Sequence, residues 1–178
     1  GCWEEIILVS PTCMHDGSIK PVAECAATTA VTEYNDAVIQ ALIQGIEAEK
    51  KEHGKMRPRL LVLDDCVGEI KPGSAVTYLC TRYRHYNLSI LVSTQAYRAI
   101  PNVIRANAAM FFVFKSHNAK EVAKMEEEFG ASFPDFLQMY NEATRKKHSF
   151  LFLDLREMNA WTRLFADLLY SRADDHDD

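Results

Sequence analysis

Two adjacent carboxylates, Asp64 and Asp65, close the apolar run Leu60-Leu61-Val62-Leu63. Four apolar residues ending in acids read as a buried strand with its charges at the C-terminal tip, the edge where open α/β sheets hold ligands. A second apolar run, Leu88 to Val92, ends in Ser93-Thr94-Gln95. The separation, about 30 residues, leaves room for one helix between two parallel strands. Side by side, such strands bring Asp64, Asp65 and Gln95 to one rim. Phosphoanhydride hydrolysis needs a cation to neutralise the phosphates and a group to orient the attacking water. Asp64 is placed to hold Mg²⁺, directly or through a water, and Asp65 to polarise the water as base. Gln95 both donates and accepts, so it suits sensing a γ-phosphate or holding that water in line. An apolar run closed by an acid also occurs in folds that bind no nucleotide, so the combination carries the weight.

Arg82 and Arg84 sit just before the second strand, where a side chain would reach a phosphate held by a neighbouring subunit. Their forked, permanently charged groups match phosphate oxygens. Arg105, in Val103-Ile104-Arg105-Ala106-Asn107, is a further candidate of that kind. Taken singly, each arginine also reads as a solvated helix end. One part of a nucleotide site is missing: no GxxxxGK[ST] loop occurs in these residues.

The elements that must position these groups alternate. Ile6 to Val9 is a short strand, and its nearness to residue 1 leads us to expect that the protein continues upstream. Residues 13–30 carry no assignable pattern. Tyr34 to Glu52 has apolar positions at Tyr34, Val38, Ala41, Leu42 and Ile46, the spacing of an amphipathic helix, with Gly54 as its stop. Gly68 to Gly73 is a loop, and Ser74 caps a helix running to about Tyr86. Pro101 opens a short helix through Arg105, and Met110 to Phe114 is another strand. Asn118 and Glu121 form a capping box before the stripe Val122, Met125 and Phe129. Phe133 to Tyr140 gives a further helix, followed by the basic run Arg145-Lys146-Lys147-His148. Phe150 to Leu153 is the next strand. Trp161 to Phe165 reads either as its hairpin partner or as part of a short helix running to Tyr170. The pattern predicts an α/β fold with a mostly parallel central sheet flanked by helices, one domain over 1–172, and a disordered acidic tail over 173–178.

The composition, 48% apolar and 25% charged over 178 residues, is that of a soluble globular domain, without a membrane span or signal-peptide pattern. Five cysteines without CxxC spacing favour reduced, intracellular thiols over a disulfide frame or a zinc site. A net charge of −5 argues against a generally basic, nucleic-acid-coating surface.

Residues Leu60–Asp65, Arg82–Gln95 and Ile100–Asn107 together resemble the FtsK/HerA superfamily of DNA-pumping ATPases, and within it the poxvirus-type genome packaging ATPases of large DNA viruses. The likeness is strong over roughly 58–130. It implies a RecA-like P-loop NTPase core acting in a homo-oligomeric ring, using ATP and Mg²⁺ to drive double-stranded DNA into a capsid. Capsid or portal-vertex proteins would be its partners, and the host-cell cytoplasm (the viral factory) or the virion its place. By this likeness Asp64 and Asp65 match the Walker B pair, Gln95 the sensor glutamine, and Arg82 or Arg84 an arginine finger. In the family a phosphate-cradling loop precedes a strand like Ile6–Val9. Its absence here reads as loss of the first strand and loop by truncation, or as a degenerate paralogue, and either leaves these residues inactive alone. The other readings are a cellular FtsK/HerA relative and a catalytically inactive α/β ring subunit or interaction module. A metal-dependent phosphotransferase or nuclease would need further carboxylates at the strand tips, where Asp154 is the obvious candidate.

Overall fold

The computed structural model describes residues 2–162 and 167–171, which fall into two compact units dividing after Asn107. The first unit runs β1 (Glu5–Val9), α1 (Lys20–Ala23), β2 (Thr28–Val31), α2 (Asp36–His53), β3 (Arg59–Asp64), α3 (Ala75–Arg82), β4 (Leu88–Ser93) and α4 (Asn102–Asn107). Its strands form a parallel sheet in the order β2-β1-β3-β4. Val9 lies beside Leu63, and Asp64 beside Ser93. All four strands point the same way, so their C-terminal ends share one edge.

Leu61 and Leu63 are fully buried, while Leu60, Val62 and Asp64 between them are half-buried. The run is therefore sealed on one face rather than on both. That face packs with Ile7 and Val9 against Ile39 and Ile46 of α2 and Val76, Leu79 and Cys80 of α3. Each fully buried leucine stabilises the unit by about 1.5–3 kcal/mol relative to exposure. Asn35 caps α2 by accepting from the Ala37 N–H at 2.8 Å, and Gly54, at φ +71°, stops it in the left-handed conformation that glycine adopts without strain. The buried stripe of α2 runs Ile39, Leu42, Ile43 and Ile46, with Ala41 exposed. It is rotated from the expected Val38–Ala41 spacing, because Val38 and Ile39 are both aliphatic and the sheet selects between them. Ser74 caps α3, which ends at Arg82 in a short tight turn, and Asn87 at φ +48° admits β4. α1 and β2 occupy the stretch without a readable pattern; at four residues each they are too short to show periodicity.

The second unit runs β5 (Met110–Phe114), α5 (Ala119–Phe129), α6 (Phe136–Ala143), β6 (Phe150–Asp154), β7 (Asn159–Trp161) and β8 (Leu168–Ser171). Its sheet is antiparallel, in the order β5-β6-β7-β8. Two helices separate β5 from β6, so the chain reverses once more than in a βαβ crossover and returns antiparallel. β5 and β6 therefore belong to a sheet of their own instead of extending the parallel one. The hairpin partner of β6 starts at Asn159, earlier than Trp161, and Leu168–Tyr170 is strand instead of helix. Residues 163–166 and the acidic tail lie outside the described residues.

Candidate active site

Parallel register decides the geometry of the rim. Ser10 follows β1, Asp64 ends β3 with Asp65 next, and Ser93, Thr94 and Gln95 finish β4. Ser10 is fully buried and its Oγ donates to Asp64 Oδ2 at 2.8 Å, which fixes that carboxylate's rotamer. A hydrogen bond to an ionised acceptor is roughly twice as strong as a neutral one. Asp65 has φ +51° and its N–H donates to the Ser93 carbonyl at 3.0 Å, so the chain turns sharply at the strand tip. Non-glycine residues held in this conformation concentrate at functional sites. Gln95 Nε2 donates to Asp65 Oδ2 at 3.4 Å, a long contact that spans the tips of β3 and β4. Asp64, Asp65 and Gln95 thus meet as expected.

The arginines do not join them. Arg82 and Arg84 lie at the end of α3 and in the turn before β4, at the opposite edge of the sheet. Arg82 stacks 4.2 Å from the Tyr78 ring centroid, and Arg84 donates to the Tyr83 hydroxyl at 3.1 Å. Arg105 is folded back: its guanidinium donates to the Ile100 carbonyl and lies 5.3 Å from the Tyr97 ring centroid.

Two features of the rim went unread in the sequence. Ser10 is one. The other is the link from β2–α2 to α3, where Asp36 Oδ1 accepts from the Tyr34 hydroxyl at 2.6 Å and its carboxylate accepts from the Ala75 N–H at 3.1 Å. Burial, then the neighbouring Asp36, lifts the Tyr34 phenol well above its ordinary range. Cys66, next to the acidic pair, is buried and its thiol is pushed up to about 11 by burial and then by the charges of Glu69, Asp64 and Asp65. That disqualifies it as a nucleophile near neutrality.

Whether the rim fits a divalent cation follows from its donors. Two carboxylates and a hydroxyl are hard oxygen groups, and Mg²⁺ typically takes one or two carboxylates, completing its shell with water and phosphate. Among the described residues no group of three or more His, Cys, Asp or Glu side chains is placed to hold a metal. Asp154 is engaged in its own unit: burial alone would raise its pKa, but hydrogen bonds from the Arg156 N–H and guanidinium outweigh that and hold it below the usual carboxylate range. The chain therefore has a two-carboxylate rim and no all-protein metal cage among the described residues, which disfavours the metal-nuclease reading.

The family model described as Poxvirus A32 protein matches residues 19–154. The chain belongs to this family. The poxvirus-type likeness read from the motifs is borne out. No curated protein matches the chain. Among solved structures, it is similar to the genome packaging NTPase B204 of Sulfolobus turreted icosahedral virus 2 with ATP-γS, at 17% identity and TM-score 0.61 over 89% of this chain and 80% of that one. The AMPPCP complex gives 15% identity and TM-score 0.63 over 89% and 81%. B204, the DNA-packaging ATPase of Sulfolobus turreted icosahedral virus, gives 13% identity and TM-score 0.58 over 90% and 97%. At such identities the likeness is one of fold, and it bears out the α/β class with a parallel sheet flanked by helices. No helix among the described residues is long and apolar enough to cross a membrane.

Proposed function

We propose that this A32-family chain is the Walker B and sensor part of an ATP-driven translocase that packages a double-stranded viral genome. The observation that carries the reading is the convergence of Asp64, Asp65 and Gln95 on one rim of a parallel sheet. The relatives' fold supports it, since B204 was solved with ATP analogues. Bound Mg²⁺ would neutralise phosphate charge beside Asp64. Asp64, steadied by Ser10, offers one oriented carboxylate oxygen to that ion and leaves the other committed to the serine. Asp65 accepts a proton from the attacking water, and Gln95, in contact with Asp65, holds that water in line. Arg82 and Arg84, at the far edge, serve a neighbouring copy's site in a ring instead of their own. The family match crosses the division at Asn107, which supports the two units working as one ATPase core over 1–172. Capsid or portal-vertex proteins are the partners, and the viral factory or virion is its place.

Turnover tests the assignment. Residues 1–178 contain no phosphate-cradling loop, so alone they are expected to bind ATP weakly and not hydrolyse it; Asp65-dependent turnover by these residues would contradict this. In a protein that supplies the loop, Asp65→Asn should lower kcat by about 10²–10⁴, with ATP affinity kept. Unchanged hydrolysis in that variant removes Asp65 as base.

A further inference from the structure

The second unit holds a concavity of about 460 Å³ whose walls are basic. One wall is Lys115 and His117, immediately after β5. The other is Arg145, Lys146, Lys147 and His148, between α6 and β6. Antiparallel register sets Phe114 opposite Phe150, so the two segments leave the same end of the sheet together. Both are fixed by buried groups. The Tyr140 hydroxyl accepts from the Ser116 N–H at 2.7 Å and donates to the Phe114 carbonyl at 3.4 Å, tying the first wall to α6. Thr144 Oγ donates to the Tyr140 carbonyl at 2.7 Å, and the Ser149 hydroxyl and N–H both donate to the Lys146 carbonyl. His148, at φ +61°, completes this tight turn.

Charge distinguishes the place. Among the described residues no carboxylate lines it, and none of its six basic side chains enters an ion pair. Elsewhere Lys20, Arg57, Arg59, Lys124 and Arg156 find acids, while Lys50, Lys51 and Lys55 enter no ion pair among the described residues but do not line this hollow either. Four lysine and arginine side chains held around one hollow, with no acidic partner among the described residues, suit an anionic ligand. Lysine and arginine cations match phosphates, the contacts that position a duplex without reading its sequence, and among the described residues no Asn or Gln side chain lines the hollow to pair with adenine.

We propose that this concavity grips the phosphate backbone of duplex DNA without regard to sequence. The proposal rests on the translocase reading and places its DNA track on the α6–β6 turn and the end of β5. The test measures duplex binding by anisotropy between about 50 and 200 mM salt, using the triple variant R145Q/K146Q/K147Q. The variant K50Q/K51Q/K55Q, which loses the same charge from an exposed stretch of the first unit, is the control. The salt slope should fall by about 2 to 3 in the first, at about 0.9 per phosphate contact, and stay put in the control. Lys115→Glu, on the facing wall, should lower it by about 1 to 2. Equal slopes in wild type and the first variant overturn the concavity but leave the translocase reading standing. A wild type that binds no duplex overturns both. Loss of ATP affinity in the triple variant with an unchanged DNA slope assigns the hollow to free nucleotide and likewise overturns the proposal.

Discussion

Replacing Ser10 by alanine removes one oxygen from a fully buried position and leaves Asp64 without its fixed donor. Hydrogen bonds to charged groups contribute about 1.5–3 kcal/mol to stability. Asp64 is half-buried, so water recovers part of that, and the expected net loss is about 1–2 kcal/mol. Deletion of one atom makes little cavity, so almost all of the effect should depend on the carboxylate. A double-mutant cycle with Asp64→Ala separates the two contributions, using urea unfolding followed by circular dichroism on all four proteins. The expected coupling is about 1–2 kcal/mol, a factor of roughly 5 to 30 in the folding equilibrium. If Ser10→Ala costs the same with and without Asp64, the serine only fills space, and the claim that it orients the metal-side carboxylate fails.

Two further outcomes follow from charge and burial. Arg59 is nearly fully buried, donates to Glu5 at 2.6 Å and to Glu49, and holds the Glu49 carboxyl down at about 2. Because the folded-state pKa is depressed, this contribution is complete above the unfolded carboxylate range, near 4.5, and fades as pH falls towards 2. Arg59 keeps Glu5 in Glu49→Gln, so the variant should cost about 1–3 kcal/mol at pH 7, and the gap from wild type should narrow below pH 4.5; a pH-independent gap contradicts the ion pair. The thiols should also divide by environment: Cys2 and Cys25 are exposed, whereas Cys13, Cys66 and Cys80 are buried. Burial pushes both Cys66 and Cys80 up to about 11. A thiol reagent at pH 8 should label two cysteines quickly in the native protein and five in urea, and fast native labelling of Cys66 would refute the rim's packing.

Much of the first unit was legible because its signals are local. Leu60–Leu63 and Leu88–Val92 are long enough to read as strands, Ser74 is a cap residue before a helix, and Gly54 sits where a left-handed stop is needed. Their spacing also implied that Asp64, Asp65 and Gln95 share a rim, since one helix between two strands makes them parallel. Strand order carries no such local signal. That Ser10 reaches Asp64 follows from β1 lying beside β3, 54 residues away in sequence, and Arg59 finds Glu5 for the same reason. The second sheet needed counting: two helices between β5 and β6, instead of one, reverse the pairing. Likewise the basic run from Arg145 to His148 was visible in the sequence, but nothing in its spacing tied it to Lys115. Antiparallel pairing of Phe114 with Phe150 brings them to one hollow, because cross-strand neighbours are set by register and not by distance along the chain. Residue type and spacing alone determined which groups have the chemistry, while the tertiary structure decided which of them face one another.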